Sequence, residues 1–202
     1  LLFGTIERLD HDSEAMARGG RDALTGLRDA AAARRWIELR LGGGKFYVLL
    51  FHITRFEMIN TAFGRDTGDA LLQSIARQIG PLVAELGGKR SIVARTAGAE
   101  FIIGIEGLVD ADRVVLLAEQ LSAQVERPQL TGAHLIALSS RVGIIESRED
   151  DASVGDLLRR ASAALAEAKV SDDSRVLMVS QERHESAARD AALQADLRGA
   201  LD

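Results

Sequence analysis

Cysteine is absent from this chain of 202 residues, so neither a disulfide framework nor a thiolate zinc site is open to it. Long apolar runs are absent too. The longest, Phe46–Phe51 and Phe101–Ile105, have the length of a strand and cannot span a bilayer. No stretch is dense in Lys and Arg: 25 basic residues stand against 30 acidic ones, for a net charge of −5. That balance argues against non-specific nucleic-acid binding and against an anionic membrane as partner. The four histidines, His11, His52, His134 and His184, show no HExxH or other metal-ligand spacing. What remains is an ordinary globular composition, 47% hydrophobic and 27% charged, with a mean hydropathy of +0.02. The length suits one domain with short appendages. The cytoplasm is the expected compartment. Leu1 is not an initiator methionine, and we expect the chain to be a piece of a longer protein.

Residues 5–21 are polar and helix-permissive, with Ile6, Leu9 and Met16 as sparse apolar positions, and read as the end of a connecting helix. A turn at Leu24–Leu27 leads into a helix from about Asp29 to Leu41, stopped by Gly42, Gly43 and Gly44. The continuous apolar run Phe46–Ile53 predicts a strand buried on both faces. From Asp69, a plausible N-cap, the positions Leu72, Ile75, Ile79, Leu82, Val83 and Leu86 follow helical spacing up to Gly87. Two short strands, Ile92–Arg95 and Phe101–Ile105, flank a hairpin of small residues. A helix with Val114, Leu117, Leu121 and Val125 follows, then a strand over about Leu135–Ile145. A helix with Leu157, Ala161, Leu165 and Ala168 and a short strand at Arg175–Val179 complete the pattern. Strands alternating with helices and including one hairpin predict an α/β sandwich of the ferredoxin-like kind, a mixed sheet flanked by helices.

Four segments in order resemble the GGDEF family of diguanylate cyclase-like domains, whose fold is the nucleotidyl-cyclase sandwich. The opening DALTGL at Asp22–Leu27 is similar to DxLTGLxNR, although Asp29 and Ala30 replace its Asn-Arg pair. Leu49–Asn60, with Phe63, Gly64, Gly68 and Asp69, resembles LLxDIDxFKxINDxxGHxxGD. Arg95–Phe101, reading RTAGAEF, stands where RxGGDEF or RxGGEEF belongs. Ala161–Lys169 resembles RADxALYxAK, with Ser162 and Ala166 in place of Asp and Tyr. The correspondence runs from about residue 22 to 180, so we divide the chain into a linker helix (1–21), a GGDEF domain (22–182) and a terminal segment (183–202).

The resemblance implies a reaction that joins two GTP molecules held by a facing pair of subunits, through Mg²⁺ on carboxylates at a strand end and in the hairpin. His52 stands at the strand-end acid, Thr54 at the next acid and Ala99 at the hairpin acid; Glu100 alone survives. Imidazole is a poor Mg²⁺ ligand, so a hydrogen-bonded histidine is the default reading of His52, with a softer transition metal as the alternative. Glu57 replaces a phosphate-contacting Lys, and Ala97 the first hairpin Gly. We therefore expect no required cofactor, weak or absent Mg²⁺ binding and no useful cyclase turnover. Asn60 and Asp69 match the family's guanine-reading pair, but a turn at Asn60 and a cap at Asp69 explain them equally well. Lys169 matches a phosphate contact, or is a solvated helix-end lysine; Asp173 takes the place of its partner Arg. Gly88 and Ser91 replace the Arg and Asp of the family's inhibitory product site. Arg141 stands where the family is aliphatic and has no reading at this level.

Ala192–Asp202 places Leu193, Leu197 and Leu201 on one helical stripe and resembles the opening helix of EAL phosphodiesterase domains. The expectation is a degenerate GGDEF domain that binds GTP and tunes a following EAL domain in response to an upstream sensor, with a homodimer also open. The alternatives are a nucleotide-free coupling or dimerisation spacer and a residual cyclase making cyclic di-GMP.

Overall fold

The structure, a computed structural model, describes residues 20–107, 110–171 and 174–179. The linker helix before residue 20 and the leucine stripe after Ser180 lie outside the described residues. Among those described, no helix is long and apolar enough to cross a membrane.

Chain order gives α1 (Ala30–Glu38), β1 (Phe46–Ile53), α2 (Phe56–Phe63), α3 (Arg65–Leu86), β2 (Ile92–Ala97) and β3 (Glu100–Glu106). Then follow α4 (Ala111–Val125), β4 (Gln129–Thr131), β5 (His134–Ile136), β6 (Ser140–Glu146), α5 (Val154–Val170) and β7 (Val176–Val179). Five strands form one mixed sheet in the order β2-β3-β1-β6-β7, in which only the β6–β7 pair is parallel. This is the flanked α/β sandwich that the alternation of elements predicts.

Strand β1 is central because every second residue has a helix layer to bury against. Tyr47, Leu49, Phe51 and Ile53 pack with Leu71, Leu72, Ile75 and Ile79 of α3 and with Leu117 and Leu121 of α4. Phe46, Val48 and Leu50 pack on the other side with Trp36 and Ile37 of α1 and with Leu157, Ala161 and Leu165 of α5. An unbroken apolar run is the pattern of a strand covered on both faces. Three helices start on side-chain caps: Asp29 accepts from the Ala32 amide, Asp110 from Asp112 and Ser153 from Asp156.

Two expectations are corrected. The stretch Leu135–Ile145 is not one strand: β4 and β5 form a separate hairpin and β6 begins only at Ser140. Gln129, at the base of that hairpin, accepts from Gln78 of α3 at 2.8 Å, which holds the hairpin against the helix layer instead of in the main sheet. Nor does α3 begin at Asp69. It begins at Arg65, directly after Gly64 (φ 86°), so Asp69 lies inside the helix and caps nothing. Asn60 does not close a turn; it sits within α2, a helix that the sequence pattern did not predict.

Gly143 sets how closely α5 approaches the sheet. A methyl group there would meet helix backbone, with the Ala164 carbonyl carbon at 2.7 Å, and backbone cannot swing aside as a side chain can. Gly80 in α3 is the contrast, since its nearest neighbour would be Leu27 Cδ2 at an ordinary 3.6 Å. Gly143→Ala is expected to cost roughly 1–3 kcal/mol through overpacking. Gly80→Ala is expected to change stability by less than about 1 kcal/mol, because the backbone entropy it gains is offset by crowding of its Cβ against the ring of Pro81. Urea unfolding midpoints of the two variants against the parent chain measure both.

Candidate functional site

The turn DALTGL is built around Asp22. Its Oδ1 accepts from the Thr25 amide at 2.9 Å and from the Thr25 hydroxyl at 2.6 Å, and Gly26 supplies a φ of 72°. The next residue but one hooks this turn onto β2: Arg28 N–H donates to the Val93 carbonyl and the Arg95 amide donates to Arg28. Arg95 closes the clamp. Its Nη1 reaches both Asp22 oxygens at 3.1–3.2 Å, and its Nε donates to the Gly98 carbonyl at 2.9 Å. Burial alone would raise the Asp22 carboxyl, but the Thr25 and Arg95 hydrogen bonds outweigh it and hold the group below the usual carboxylate range. One ion pair thus fixes the β2–β3 hairpin to the start of the domain.

The hairpin turns through Gly98 (φ 51°) and Ala99, with a register shift between Arg95 and Ala97. The Ala99 carbonyl accepts from the Ile53 amide at 3.0 Å, and its side chain is buried in the core shared with α3 and α4. A cleft of about 910 Å³ opens beside it, bounded by the end of β1, the hairpin, α2 and the first turns of α3. His52, Asn60, Asp69, Ala97, Ala99 and Glu100 all line it, and with Glu57 seven of the residues singled out from sequence meet at one place. Arg95 lines it as well. Arg55, at its mouth, takes a left-handed conformation (φ 58°) at the start of α2, a geometry that costs a non-glycine residue roughly 1–2 kcal/mol.

Within the cleft, Glu100 Oε1 and the Glu100 carbonyl accept from the Thr96 hydroxyl at 3.3 and 3.1 Å. Thr54 is not among the lining residues: its hydroxyl pairs with the Ser139 hydroxyl at 2.7 Å, and its amide donates to the Ser139 carbonyl. Lys169, exposed at the end of α5, acts on His52 through its charge. Burial first and Lys169 second push the His52 imidazole below the ordinary histidine range, against an opposing pull from Glu100. His52 Nδ1 is buried and has no hydrogen-bond partner among the described residues.

Asn60 and Asp69 come together although they lie on different helices. The Asn60 side-chain oxygen, Oδ1, is buried with no partner among the described residues. It lies where a side chain on Gly68 would stand, so only glycine allows this approach. The break at Gly64 turns α3 back on α2 and creates that contact. The glycine pattern was visible in the sequence, but its meaning depends on the unpredicted helix α2.

The donor set does not suit a pair of Mg²⁺ ions. Hard cations of this kind need several oxygen ligands, whereas the positions in question present an imidazole, a threonine hydroxyl paired with serine, a buried methyl group and one carboxylate. No group of three or more His, Asp or Glu side chains with metal-holding geometry occurs among the described residues. A second cavity, of about 520 Å³ and lined by Gly42, Lys45 and Glu146 with Arg148, opens at the far end of β1. Its Lys45–Glu146 pair, 2.7 Å apart, joins none of the residues above.

The model of the diguanylate cyclase GGDEF domain matches residues 20–175. The chain belongs to the GGDEF family. As a GGDEF domain it is part of the cyclic di-GMP signalling repertoire. It is 25% identical over 202 residues to the cyclic di-GMP phosphodiesterase NbdA of Pseudomonas aeruginosa, covering 97% of this chain and 25% of that protein. It is 29% identical over 158 residues to the bifunctional diguanylate cyclase/cyclic di-GMP phosphodiesterase MucR of the same organism, covering 78% of this chain and 22% of that one. The chain thus spans about a quarter of the length of such curated relatives. Among solved structures, the diguanylate cyclase SiaD of Pseudomonas aeruginosa superposes with a TM-score of 0.71 at 21% identity, over 88% of this chain and 68% of SiaD. The coiled-coil and GGDEF region of DgcB from Caulobacter crescentus does so with a TM-score of 0.68 at 23% identity, over 88% and 95%. These likenesses establish the nucleotidyl-cyclase type of fold.

The depressed His52 pKa has a defined sign. The unfolded chain takes up a proton near pH 6.5, the folded GGDEF domain only at lower pH, so acidification through that window weakens the fold. His52→Gln should remove this loss. Urea midpoints at pH 7.5 and 5.5 are expected to fall less in the variant than in the parent, and equal falls would contradict it.

Proposed function

We propose that this GGDEF domain is a guanine-nucleotide-responsive regulatory module and that it does not work as a cyclase. The observation that carries the reading is that Asn60 and Asp69, carried by two different helices, line one and the same cleft. A base edge seated in that cleft needs hydrogen-bond partners for its donors. Guanine offers such donors at N1 and its 2-amino group, and the Asp69 carboxylate accepts from the same edge. The family's guanine-reading pair corresponds to these two residues.

The unsuitability of His52, Thr54 and Ala99 as magnesium ligands supports the loss of turnover. Metal-assisted attack of a ribose hydroxyl on an α-phosphate needs ions to activate the nucleophile and neutralise the leaving pyrophosphate. Glu57, in the first turn of α2, adds negative charge on the cleft wall where family members present a lysine. GTP then acts as an effector. It shifts the domain between two arrangements to the extent of its differential affinity for them. The output we assign is an EAL phosphodiesterase domain following in the same polypeptide, the input an upstream sensor, and the setting the cytoplasm. The relatives named above as phosphodiesterases support that architecture.

A coupling or dimerisation role has its own observation. Leu130 and Leu135 are directly paired across the β4–β5 hairpin and are 75% and 70% exposed. Such an apolar pair favours a docked surface.

Calorimetric titration with GTP, paired with a cyclic di-GMP product assay, tests the reading. We expect saturable binding without product, weakened at least about tenfold in Asp69→Ala, the equivalent of about 1.4 kcal/mol. Absence of heat at high-micromolar GTP would favour the coupling role. Product formed at a rate lost in Glu100→Ala would restore the cyclase.

A further inference from the structure

The pairing register puts an arginine into the row that family members use for metal. Glu100 of β3 stands directly opposite His52 of β1, and Arg141 of β6 stands directly opposite His52 on the other side. Residues directly opposite across neighbouring strands share a sheet face, so Glu100, His52 and Arg141 form one transverse line at the cleft end of the sheet. Strands are about 4.8 Å apart, which leaves Arg141 one strand beyond the His52 wall of the cleft. The position of Arg141 along α5 follows from Gly143. Two residues further along β6 on the same face, Gly143 abuts Ala164 and Leu165, while Ile145 packs in the cluster with Leu157 and Ala161. The helix therefore runs antiparallel to β6, and the next turn toward the cleft brings Ala168 and Lys169 level with Arg141. Arg141 and Lys169 flank the same end of the row.

Among the described residues, Arg141 forms no ion pair. Its Nη1 donates to the Ser140 carbonyl at 2.9 Å, and its Nε is buried with no partner among the described residues. The nearby acids are engaged elsewhere: Glu126 takes the Ser140 amide and hydroxyl and pairs with Arg175 at 2.6 Å, and Glu100 takes the Thr96 hydroxyl. A buried guanidinium donor without an acceptor is costly, and phosphate oxygens are its best complement.

We propose that Arg141 supplies, at the phosphates of the bound guanine nucleotide, the positive charge that family members draw from divalent cations, so that binding here does not depend on Mg²⁺. The inference rests on the nucleotide reading above and adds to it the residue that holds the phosphate tail. A base seated at Asn60 and Asp69 runs its phosphates toward the hairpin end of β1, past His52, to Arg141 and Lys169. Glu100 and Glu57 remain on the wall, and they set the limit on affinity by repelling the same phosphates. The arrangement stores a nucleotide without activating it.

Calorimetry on this chain with GTP in EDTA, with GTP in excess Mg²⁺, and with guanosine as a phosphate-free probe tests it. We expect GTP to bind in EDTA at least as tightly as in Mg²⁺. Arg141→Gln should weaken GTP at least about tenfold, about 1.4 kcal/mol, and leave guanosine binding unchanged, which a merely structural role would not do. Arg141→Lys should fall between the two, because an ammonium keeps the charge but not the fork of donors. If Arg141→Gln does not fold, the lysine variant carries the test by the same GTP-against-guanosine comparison. GTP binding that is equal in parent and variants, or that appears only with Mg²⁺, overturns this inference and leaves the nucleotide module standing. No binding of GTP or guanosine under any condition overturns both.

Discussion

Strand β1 has a helix layer on each face and an antiparallel neighbour on each edge, and every feature of the cleft depends on that double constraint. Burial of alternate residues against α3 and α4 on one side, and α1 and α5 on the other, forbids a slip of one residue, because a slip would exchange the two faces. With the register fixed, Glu100, His52 and Arg141 must stand in line, and Ile53 must donate to the Ala99 carbonyl. The cleft is thus the exposed end of the best-buried element, and a stiff scaffold is what a site needs if its geometry is to be maintained.

The second constraint is the clamp between the opening turn and the hairpin. Arg95 and Asp22 are 73 positions apart in sequence and 15% and 22% exposed. A half-buried, multiply hydrogen-bonded pair of this kind is worth more than the solvated pairs Lys45–Glu146 and Arg90–Glu106, whose cations are about half exposed. The domain spends few strong ionic contacts elsewhere. Arg160 holds Asp151, 5% exposed, at the start of α5, and Arg40 lies over the Trp36 ring while pairing with Glu106. The Arg95 and Arg40 pairs tie a turn and a helix to the sheet, and Arg160 reaches the sheet by donating to the Glu146 carbonyl of β6.

Chemically, the cleft is divided. The α2–α3 end carries the polar pair Asn60 and Asp69. The sheet end has exchanged carboxylates for an imidazole, a methyl group and a guanidinium. A nucleotide site can lose its reactive half and keep its recognition half because the two are carried by different elements: α2 and α3 in one case, strand ends and hairpin in the other.

The family, the alternation of strands and helices and the two-sided burial of β1 were all legible in the order of the residues. These are local or periodic signals, readable wherever one residue type or one spacing carries the meaning. Packing between distant segments placed Asp69 within α3 and Asn60 in a helix, with the Asn60 side-chain oxygen buried against Gly68. It also decided that Arg141 stands beside His52, and that Leu135 and Ile144 belong to different sheets. Each of these depends on a close approach or a strand register between residues distant in the chain. Such contacts are set by how whole faces pack, and no local pattern records them.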